Sequence, residues 1–191
     1  MNGTRRRWLQ AAPLLALGFG GAARAEEAAW QALAAGGCAL LLRHAQTVPG
    51  IGDPPGFRLD DCATQRNLSD AGRAESRRLG EALRRRGIRF DEVLSSRWCR
   101  CVDTARLAFP QQPVRVFEPL NSFFADGSTR EAQTRALREY LASQRPPLRI
   151  AMVTHQVNVS ALTGQSVAMG EGLVVALGNA AGEVLARLRL G

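Results

Sequence analysis

The chain contains only two histidines, and each of them stands directly after an apolar run. His44 follows CALLL at residues 38–42 and one arginine, Arg43, while His155 follows IAMVT at residues 150–154. A charged side chain at the end of a buried strand is costly unless an anion pairs with it. A phosphate dianion suits such a place, because a guanidinium binds phosphate oxygens in bidentate fashion. The two histidines and Arg43 therefore predict chemistry in which an imidazole acts on a phosphoryl group.

Apolar runs and helical segments alternate along the chain, and they must position these side chains. Strands are predicted over residues 38–42, 91–94, 114–117 and 149–153, and helices over 26–35, 69–86, 98–107 and from 129 to just before Pro146. Residues 172–177 and 184–190 are predicted to form a C-terminal hairpin. This alternation indicates an α/β fold, a three-layer sandwich whose mainly parallel central sheet carries helices on both faces.

The carboxyl ends of parallel strands form the rim where ligands bind in such sheets. His44, Ser95 with Ser96, Glu118 and His155 each follow the end of a predicted strand. We therefore expect them to converge on one rim. The long loop over residues 48–67 and the segment over residues 122–129 are expected to shape the entrance to the site.

Four segments in order along the chain carry a family resemblance. LRHAQT at 42–47 is similar to an R-H-G-x-T signature with alanine in place of glycine, and LSDAG at 68–72, followed by Glu75, is similar to a helix start of the form L-[ST]-x-x-G. SSRWCRCVDTA at 95–105 is similar to S-S-x-x-x-R-x-x-x-T-A, and VTH at 153–155 to the segment of a second histidine. Together they resemble the histidine phosphatase superfamily, which has the phosphoglycerate-mutase-like fold.

The resemblance implies a role for each central residue. His44 is the expected nucleophile, which forms a phosphohistidine that water then hydrolyses. Arg43, Arg100 and His155 are the expected donors to the phosphoryl oxygens. Because the arginines neutralise the phosphate, no metal and no cofactor is expected. The implied activity is that of a phosphoric monoester hydrolase.

The resemblance weakens at the general acid. Many relatives carry a glutamate in a segment of the form L-N-E, whereas this chain has LNS at residues 120–122. A serine is not a comparable acid. Asp126 is the preferred replacement, and the other candidates are Glu118, Asp53, Asp60 and Asp61. A site without an acid is the remaining alternative, and it would favour leaving groups of low pKa, such as acyl, anomeric or aryl phosphates.

Further side chains are candidates for binding the substrate. Thr47 belongs to the first-histidine segment, and Gln156 replaces a glycine that commonly follows the second histidine. Arg58 and Arg66 lie in the long loop and carry charges that suit an anionic substrate.

The first 25 residues are predicted to be a signal peptide. Thr4–Gln10 is basic, residues 11–22 are apolar but too short to span a membrane, and Ala23–Ala25 offers a small-x-small cleavage pattern. Arg5 and Arg6 resemble a twin-arginine signal, with an ordinary Sec signal as the alternative. Residues 26–191 would then form one domain, periplasmic or secreted, without an integral membrane segment.

The charge of the remaining chain is mild. The four arginines of the leader account for half of the net charge of +8, which leaves +4. All basic residues are arginine, and a run such as Arg84–Arg86 is typical of a solvated helix end. Nucleic-acid binding is therefore not expected.

Export would permit disulfide bonds among the four cysteines. We expect one bridge, between Cys62 and Cys99, and we expect Cys38 and Cys101 to be small buried residues. The sequence alone leaves other pairings open.

The preferred function is an exported phosphatase that acts on a small phosphorylated substrate or a phosphorylated envelope glycan. A phosphoglycerate-mutase-type isomerase is a weaker alternative, because its substrate is cytoplasmic and the L-N-E glutamate is missing. A phospho-ligand binding protein of the same fold, with weak or no turnover, is the alternative from another class. The sequence does not indicate an oligomeric state.

Overall fold

The computed structural model describes residues 20–179 and 181–189. In this part of the chain six strands form one sheet in the order β3-β2-β4-β1-β5-β6. The strands are β1 (Cys38–Arg43), β2 (Glu92–Ser95), β3 (Val114–Val116), β4 (Arg149–Thr154), β5 (Gly172–Ala176) and β6 (Val184–Leu188). The pairs β1–β4, β2–β4 and β2–β3 are parallel, and β5 and β6 add an antiparallel hairpin at one edge. The predicted mainly parallel sheet with a C-terminal hairpin is confirmed.

Helices cover both faces of this sheet. They are α1 (Gly20–Ala35), α2 (Asp70–Arg85), α3 (Cys99–Ala108), α4 (Arg130–Ser143) and α5 (Gln156–Thr163). Along β1, Leu40 and Leu42 join a core with α1, α2 and α3, while Ala39 and Leu41 join a second core with α4 and α5. This alternation follows from the two-residue period of a strand and explains why β1 is apolar throughout.

Two helices differ from the sequence-based expectation. α1 begins at Gly20 rather than Glu26, so it runs through the expected cleavage position at Ala25, and residues 1–19 of the predicted signal peptide lie outside the described residues. α5 was not predicted, because eight residues with alternating valines and no side-chain N-cap give no helical pattern. The predicted end of the hairpin at Leu190 also lies outside the described residues; β6 ends at Leu188.

α2 begins where the sequence predicts. Ser69 is its N-cap and accepts a hydrogen bond from the N–H of Gly72, and Gly87, with φ of +67°, follows its last turn. Within the described residues, no helix is both long and apolar enough to cross a bilayer.

Candidate active site

The ends of three parallel strands bring the predicted rim residues together. Arg43 and His44 come at the end of β1, Ser96 follows β2, and His155 follows β4. Arg43 and the two histidines border a cavity of about 560 Å³. Glu118 lies farther out, where its exposed carboxylate accepts a hydrogen bond from Asn121, which in turn bonds Ser96.

His44 is held as a neutral ring with one nitrogen free. Its Nδ1 lies 2.9 Å from the carbonyl oxygen of Ala45, and because a carbonyl only accepts, Nδ1 carries the proton. The lone pair is therefore on Nε2. Only 3% of the residue is exposed, and this burial, together with the charges of Arg100 and Arg43, lowers the pKa of His44 to about 3 despite the hydrogen bond to Ala45. The ring is thus an unprotonated nucleophile at neutral pH.

His155 lies beside His44 and is also neutral. The two ring centroids are 5.4 Å apart, in an edge-on arrangement. Nε2 of His155 lies 2.8 Å from Oγ of Ser96 and 3.4 Å from Sγ of Cys101. Burial, followed by the neighbouring His44, holds the pKa of His155 well below its usual value. Ser96 thereby fixes the ring beside the nucleophile.

Two arginines, the half-buried Arg43 and the buried Arg100, have unpaired donors near the same cavity. Arg43 donates from Nη1 to the carbonyl of Val167 at 2.9 Å, and Arg100 is only 4% exposed. The Nε atoms of both are buried without a hydrogen-bond partner among the described residues. A buried, unpaired N–H of a charged group is costly, so the pair fits an anion that would accept from both.

Asp53 occupies the centre of this arginine cluster. Its carboxylate accepts from both Nη atoms of Arg100, at 2.7 and 3.2 Å, from Nε1 of Trp98 at 2.9 Å and from the backbone N–H of Arg66 at 3.0 Å. Burial alone would raise the pKa of Asp53, but the hydrogen bonds from Arg100 and Arg66 outweigh it and lower the pKa. Asp53 is therefore a carboxylate in this arrangement and not an acid.

Arg66 ties the long loop to the site. It donates from Nε to the carbonyl of Gly52 at 2.8 Å, and from Nη1 to the carbonyl of Gly50 at 3.0 Å and to Oγ1 of Thr47 at 2.6 Å. Thr47 is thus buried beneath Arg66 and does not line the cavity. Among the described residues that line the cavity, Arg43, Arg66 and Arg100 carry three positive charges and Asp53 carries one negative charge. This positive excess suits an anion such as phosphate.

A disulfide joins the same loop to the helix that carries Arg100. Cys62 is bonded to Cys99, the first residue of α3, whereas Cys38 and Cys101 are free and buried. This is the expected pairing. Gln65 strengthens the junction, because its Oε1 accepts from the backbone N–H of Cys99 at 3.0 Å.

The structure does not bring Asp126 into the cavity. This residue is fully exposed, and its carboxylate caps the short 3-10 helix Gly127–Thr129 through the N–H and hydroxyl of Ser128. These hydrogen bonds lower the pKa of Asp126, which makes it a poorer acid. Among the described residues, the carboxylate that lines the cavity is that of Asp53.

The acid candidates Asp60 and Asp61, together with Arg58, are outside the cavity lining. Arg58 is an exposed side chain that donates to Asp61 at 2.6 Å and lies 3.9 Å from Asp60. The prediction that Arg58 binds substrate therefore has no support in the geometry. The guanidinium of Arg58 pairs with the carboxylates of Asp60 and Asp61 in its own loop, so it is not directed toward the cavity.

Gln156 lines the cavity, and each end of its amide makes a hydrogen bond within the fold. Its Oε1 accepts from the N–H of Val167 at 3.1 Å, and its Nε2 donates to Oγ of Ser160 at 2.9 Å. Because the carbonyl of Val167 receives Arg43, Gln156 helps to position that arginine. Ser122, which stands where relatives carry the glutamate, lines the cavity as well.

Several cavity residues were not found from the sequence. They share an apolar or aromatic side chain: Ile51, Phe57, Trp98, Phe124, Val157 and Met169. Trp98 belongs to the SSRWCR segment at residues 95–100, and this position between Ser96 and Arg100 is the sequence feature that could have indicated it. The others lie in loops and at a helix start, where no periodic pattern indicates which side chains face the site.

Comparison with known proteins supports the geometry. Residues 39–124 match the family model of the histidine phosphatase superfamily (branch 1). No functionally curated protein matches the chain in sequence. The predicted resemblance to the histidine phosphatase superfamily is confirmed over residues 39–124. This match supports a phosphatase-like function.

Solved structures show the same fold at low sequence identity. An Escherichia coli K-12 protein assigned as an alpha-ribazole-5′-P phosphatase is 18% identical, with a TM-score of 0.59 over 81% of this chain and 97% of that one. A phosphoglycerate mutase from Thermus thermophilus is 19% identical, with a TM-score of 0.55 over 81% and 99%. A mycobacterial glucosyl-3-phosphoglycerate phosphatase in complex with VO3 is 20% identical, with a TM-score of 0.54 over 73% and 92%.

Proposed function

We propose that this protein hydrolyses phosphomonoesters through a phosphohistidine on Nε2 of His44. One observation carries the proposal: a neutral, buried imidazole with a free Nε2 shares one cavity with Arg43 and Arg100, whose charges act on it. A nucleophile and donors for a phosphoryl group are thus held in one cavity before any substrate enters.

The first step transfers the phosphoryl group to the enzyme. Nε2 of His44 attacks phosphorus, the bond from phosphorus to the ester oxygen breaks, and this oxygen leaves with the electron pair as an alkoxide or phenoxide, which water then protonates. The ring then carries a positive charge, which the hydrogen bond from Nδ1 to the carbonyl of Ala45 stabilises. Arg43 and Arg100 neutralise the charge on the phosphoryl oxygens.

The second step releases phosphate. A water molecule attacks phosphorus, the bond from phosphorus to Nε2 breaks, and His44 returns to its neutral form. His155, which Ser96 fixes beside His44, is proposed to contact the same phosphoryl oxygens. Because Asp53 is held as a carboxylate by Arg100, we propose that the leaving group departs without a protein acid. Esters with good leaving groups should then be the faster substrates.

We also propose that the protein works outside the cytoplasm. Two observations support export: the signal-like segment at residues 1–25 and the disulfide between Cys62 and Cys99. Such bonds persist in oxidising compartments. Fractionation of cells that express the full chain, followed by intact-mass measurement of the exported form, tests both the localisation and the cleavage site.

Phosphate release by the exported, disulfide-bonded protein tests the catalytic proposal. We expect turnover of 4-nitrophenyl phosphate by the wild type and a loss of at least about 10³-fold in His44→Ala. A rapid acid-free quench should trap phosphate on the wild type but not on the variant. Asp126→Asn is the matched control, because this exposed carboxylate lies outside the cavity.

Two results would contradict the catalytic proposal. If the wild type binds phosphate but releases none from any ester, the catalytic proposal is wrong and the protein is a phospho-ligand binding protein. If His44→Ala retains wild-type turnover, another group is the nucleophile.

A further inference from the structure

The outer part of the cavity is bordered by apolar side chains that face solvent. Ile51 is 91% exposed and Phe124 is 62% exposed, and both line the cavity. They stand on two different loops that meet there, since a methyl group placed on Gly52 would lie 3.7 Å from the Phe124 ring. Exposed aliphatic and aromatic groups at the mouth of a site gain free energy when a ligand covers them.

The apolar surface continues inward to the histidines. The ring centroids of Phe57 and Trp98 are 6.0 Å apart. The ring of Trp98 also packs edge-on against that of His155, with 5.2 Å between their centroids. Val157 and Met169 complete this wall. An apolar path therefore runs from the mouth of the cavity to the place where the phosphoryl group would bind.

Three polar side chains of the cavity already have hydrogen-bond partners within the fold. Asp53 accepts from Arg100, Trp98 and the Arg66 backbone, and Oγ of Ser122 accepts from the N–H of Phe124 at 3.2 Å. Gln156 makes one hydrogen bond at each end of its amide. These partners reduce the capacity of the three side chains to bind the hydroxyl groups of a sugar, whereas the apolar side chains of the cavity have no such competing partner.

We propose that the substrate is a phosphomonoester whose alcohol half is apolar, an aliphatic chain or an aromatic ring, rather than a sugar. This inference rests on the proposed phosphatase function and specifies its substrate class. The phosphoryl group binds at Arg43 and Arg100, and the apolar half lies along Trp98 and Phe57 and emerges between Ile51 and Phe124.

A series of 4-n-alkylphenyl phosphates from methyl to octyl separates binding of the apolar half from leaving-group chemistry. The pKa of the leaving phenol is nearly constant along this series, and a phenol can leave without a protein acid, so a change in kcat/KM reports contact with the cavity. We expect kcat/KM to rise about two- to fourfold per methylene until the cavity is filled. The polar analogue 4-hydroxymethylphenyl phosphate should stay at or below 4-methylphenyl phosphate.

Variants at the mouth of the cavity test whether Ile51 and Phe124 cause the dependence of kcat/KM on chain length. The double variant Ile51→Ser with Phe124→Ser should flatten the dependence on chain length. Leu185→Ser is the matched control, because Leu185 is an exposed aliphatic side chain, 46% exposed, that lies outside the cavity. It should keep the wild-type dependence. Because all three side chains are solvent-exposed, these substitutions should leave the fold intact, and circular dichroism checks this.

Two outcomes overturn different claims. Phosphate release with no dependence on chain length, or with 4-hydroxymethylphenyl phosphate as the best substrate, would overturn the apolar substrate class and leave the phosphatase function standing. No release from any ester would instead overturn the proposed function. Two further arms identify the source: phosphatidic acid in phosphatidylcholine vesicles represents a membrane ester, and 1-naphthyl phosphate a soluble one. A kcat/KM for phosphatidic acid above that for glycerol 3-phosphate, or for 1-naphthyl phosphate above that for phenyl phosphate, supports the substrate class, and the absence of both differences would overturn it.

Discussion

Asp53 and Arg100 form the central ion pair of the site. Both side chains are almost fully buried, and the carboxylate accepts from two nitrogens of the guanidinium. In a buried ion pair each charge offsets the desolvation cost of the other. Removal of one partner therefore leaves the other as a buried, uncompensated charge. Asp53 therefore satisfies Arg100 in the same cluster where a phosphate would bind.

The substitution Asp53→Asn tests the role of this ion pair in stability. We expect the free energy of unfolding to fall by about 3–5 kcal/mol, because Arg100 stays buried without its anion. Inorganic phosphate should then raise the Tm of the variant by more than it raises that of the wild type, because the ligand replaces the missing negative charge. Thermal unfolding of both proteins with and without phosphate provides the measurement.

Asp126→Asn is the control, since its carboxylate is solvent-exposed and bonds Ser128 rather than an arginine of the cluster. Its response to phosphate should equal that of the wild type. An equal response in Asp53→Asn would mean that phosphate does not contact Arg100.

At the scale of elements, the first turn of α2 holds the segment that follows His44. Ser69 donates from both its backbone N–H and its hydroxyl to the carbonyl of Gln46, at 3.0 and 3.2 Å, and Glu75 accepts from the N–H of Gln46 at 3.1 Å. Gly72 makes this contact fit, because a Cβ at that position would lie 1.9 Å from the carbonyl oxygen of Gln46. The LSDAG segment thus positions the nucleophile's neighbours.

Gly72→Ala should push α2 and the Gln46 segment apart. We expect a loss of about 1–3 kcal/mol of stability from overpacking, and a fall in kcat of about tenfold or more because the backbone beside His44 moves. Gly127→Ala is the matched control, since no atom lies within 4 Å of the position that its added methyl group would take. Urea unfolding and steady-state kinetics measure the two effects. Unchanged kinetics in Gly72→Ala would show that α2 does not position the site.

The sequence predicts features that depend on local patterns, but not contacts between residues that are far apart in the chain. Strand ends at His44 and His155, the Ser69 cap and the hairpin follow from local patterns, so they were predictable. The Asp53–Arg100 pair was not, because residues 47 apart meet only through the path of an irregular loop, and nothing local distinguishes Asp53 from Asp60 or Asp61. The apolar mouth at Ile51 and Phe124 escaped prediction for the same reason.

At the scale of the whole molecule, the two buried histidines link stability to pH. The pKa of His44 is about 3 and that of His155 is well below its usual value, mainly because of burial. In the unfolded chain each histidine takes up a proton near a pH of about 6.5. Below that pH the unfolded state therefore binds more protons than the folded state, so the free energy of unfolding must fall as the pH decreases.

His44→Gln should remove about half of this histidine contribution. Between pH 6 and pH 5 we expect the wild type to lose about 1 kcal/mol more stability than the variant, close to the value for uptake of one proton. Urea unfolding at pH 7, 6 and 5 in phosphate-free buffer measures the difference, with Leu185→Ser as a control that keeps both histidines. Parallel curves for the wild type and His44→Gln would mean that His44 is already protonated in the folded protein at these pH values. A protonated Nε2 has no lone pair for phosphorus, so this result would also contradict the assignment of His44 as a neutral nucleophile in that range.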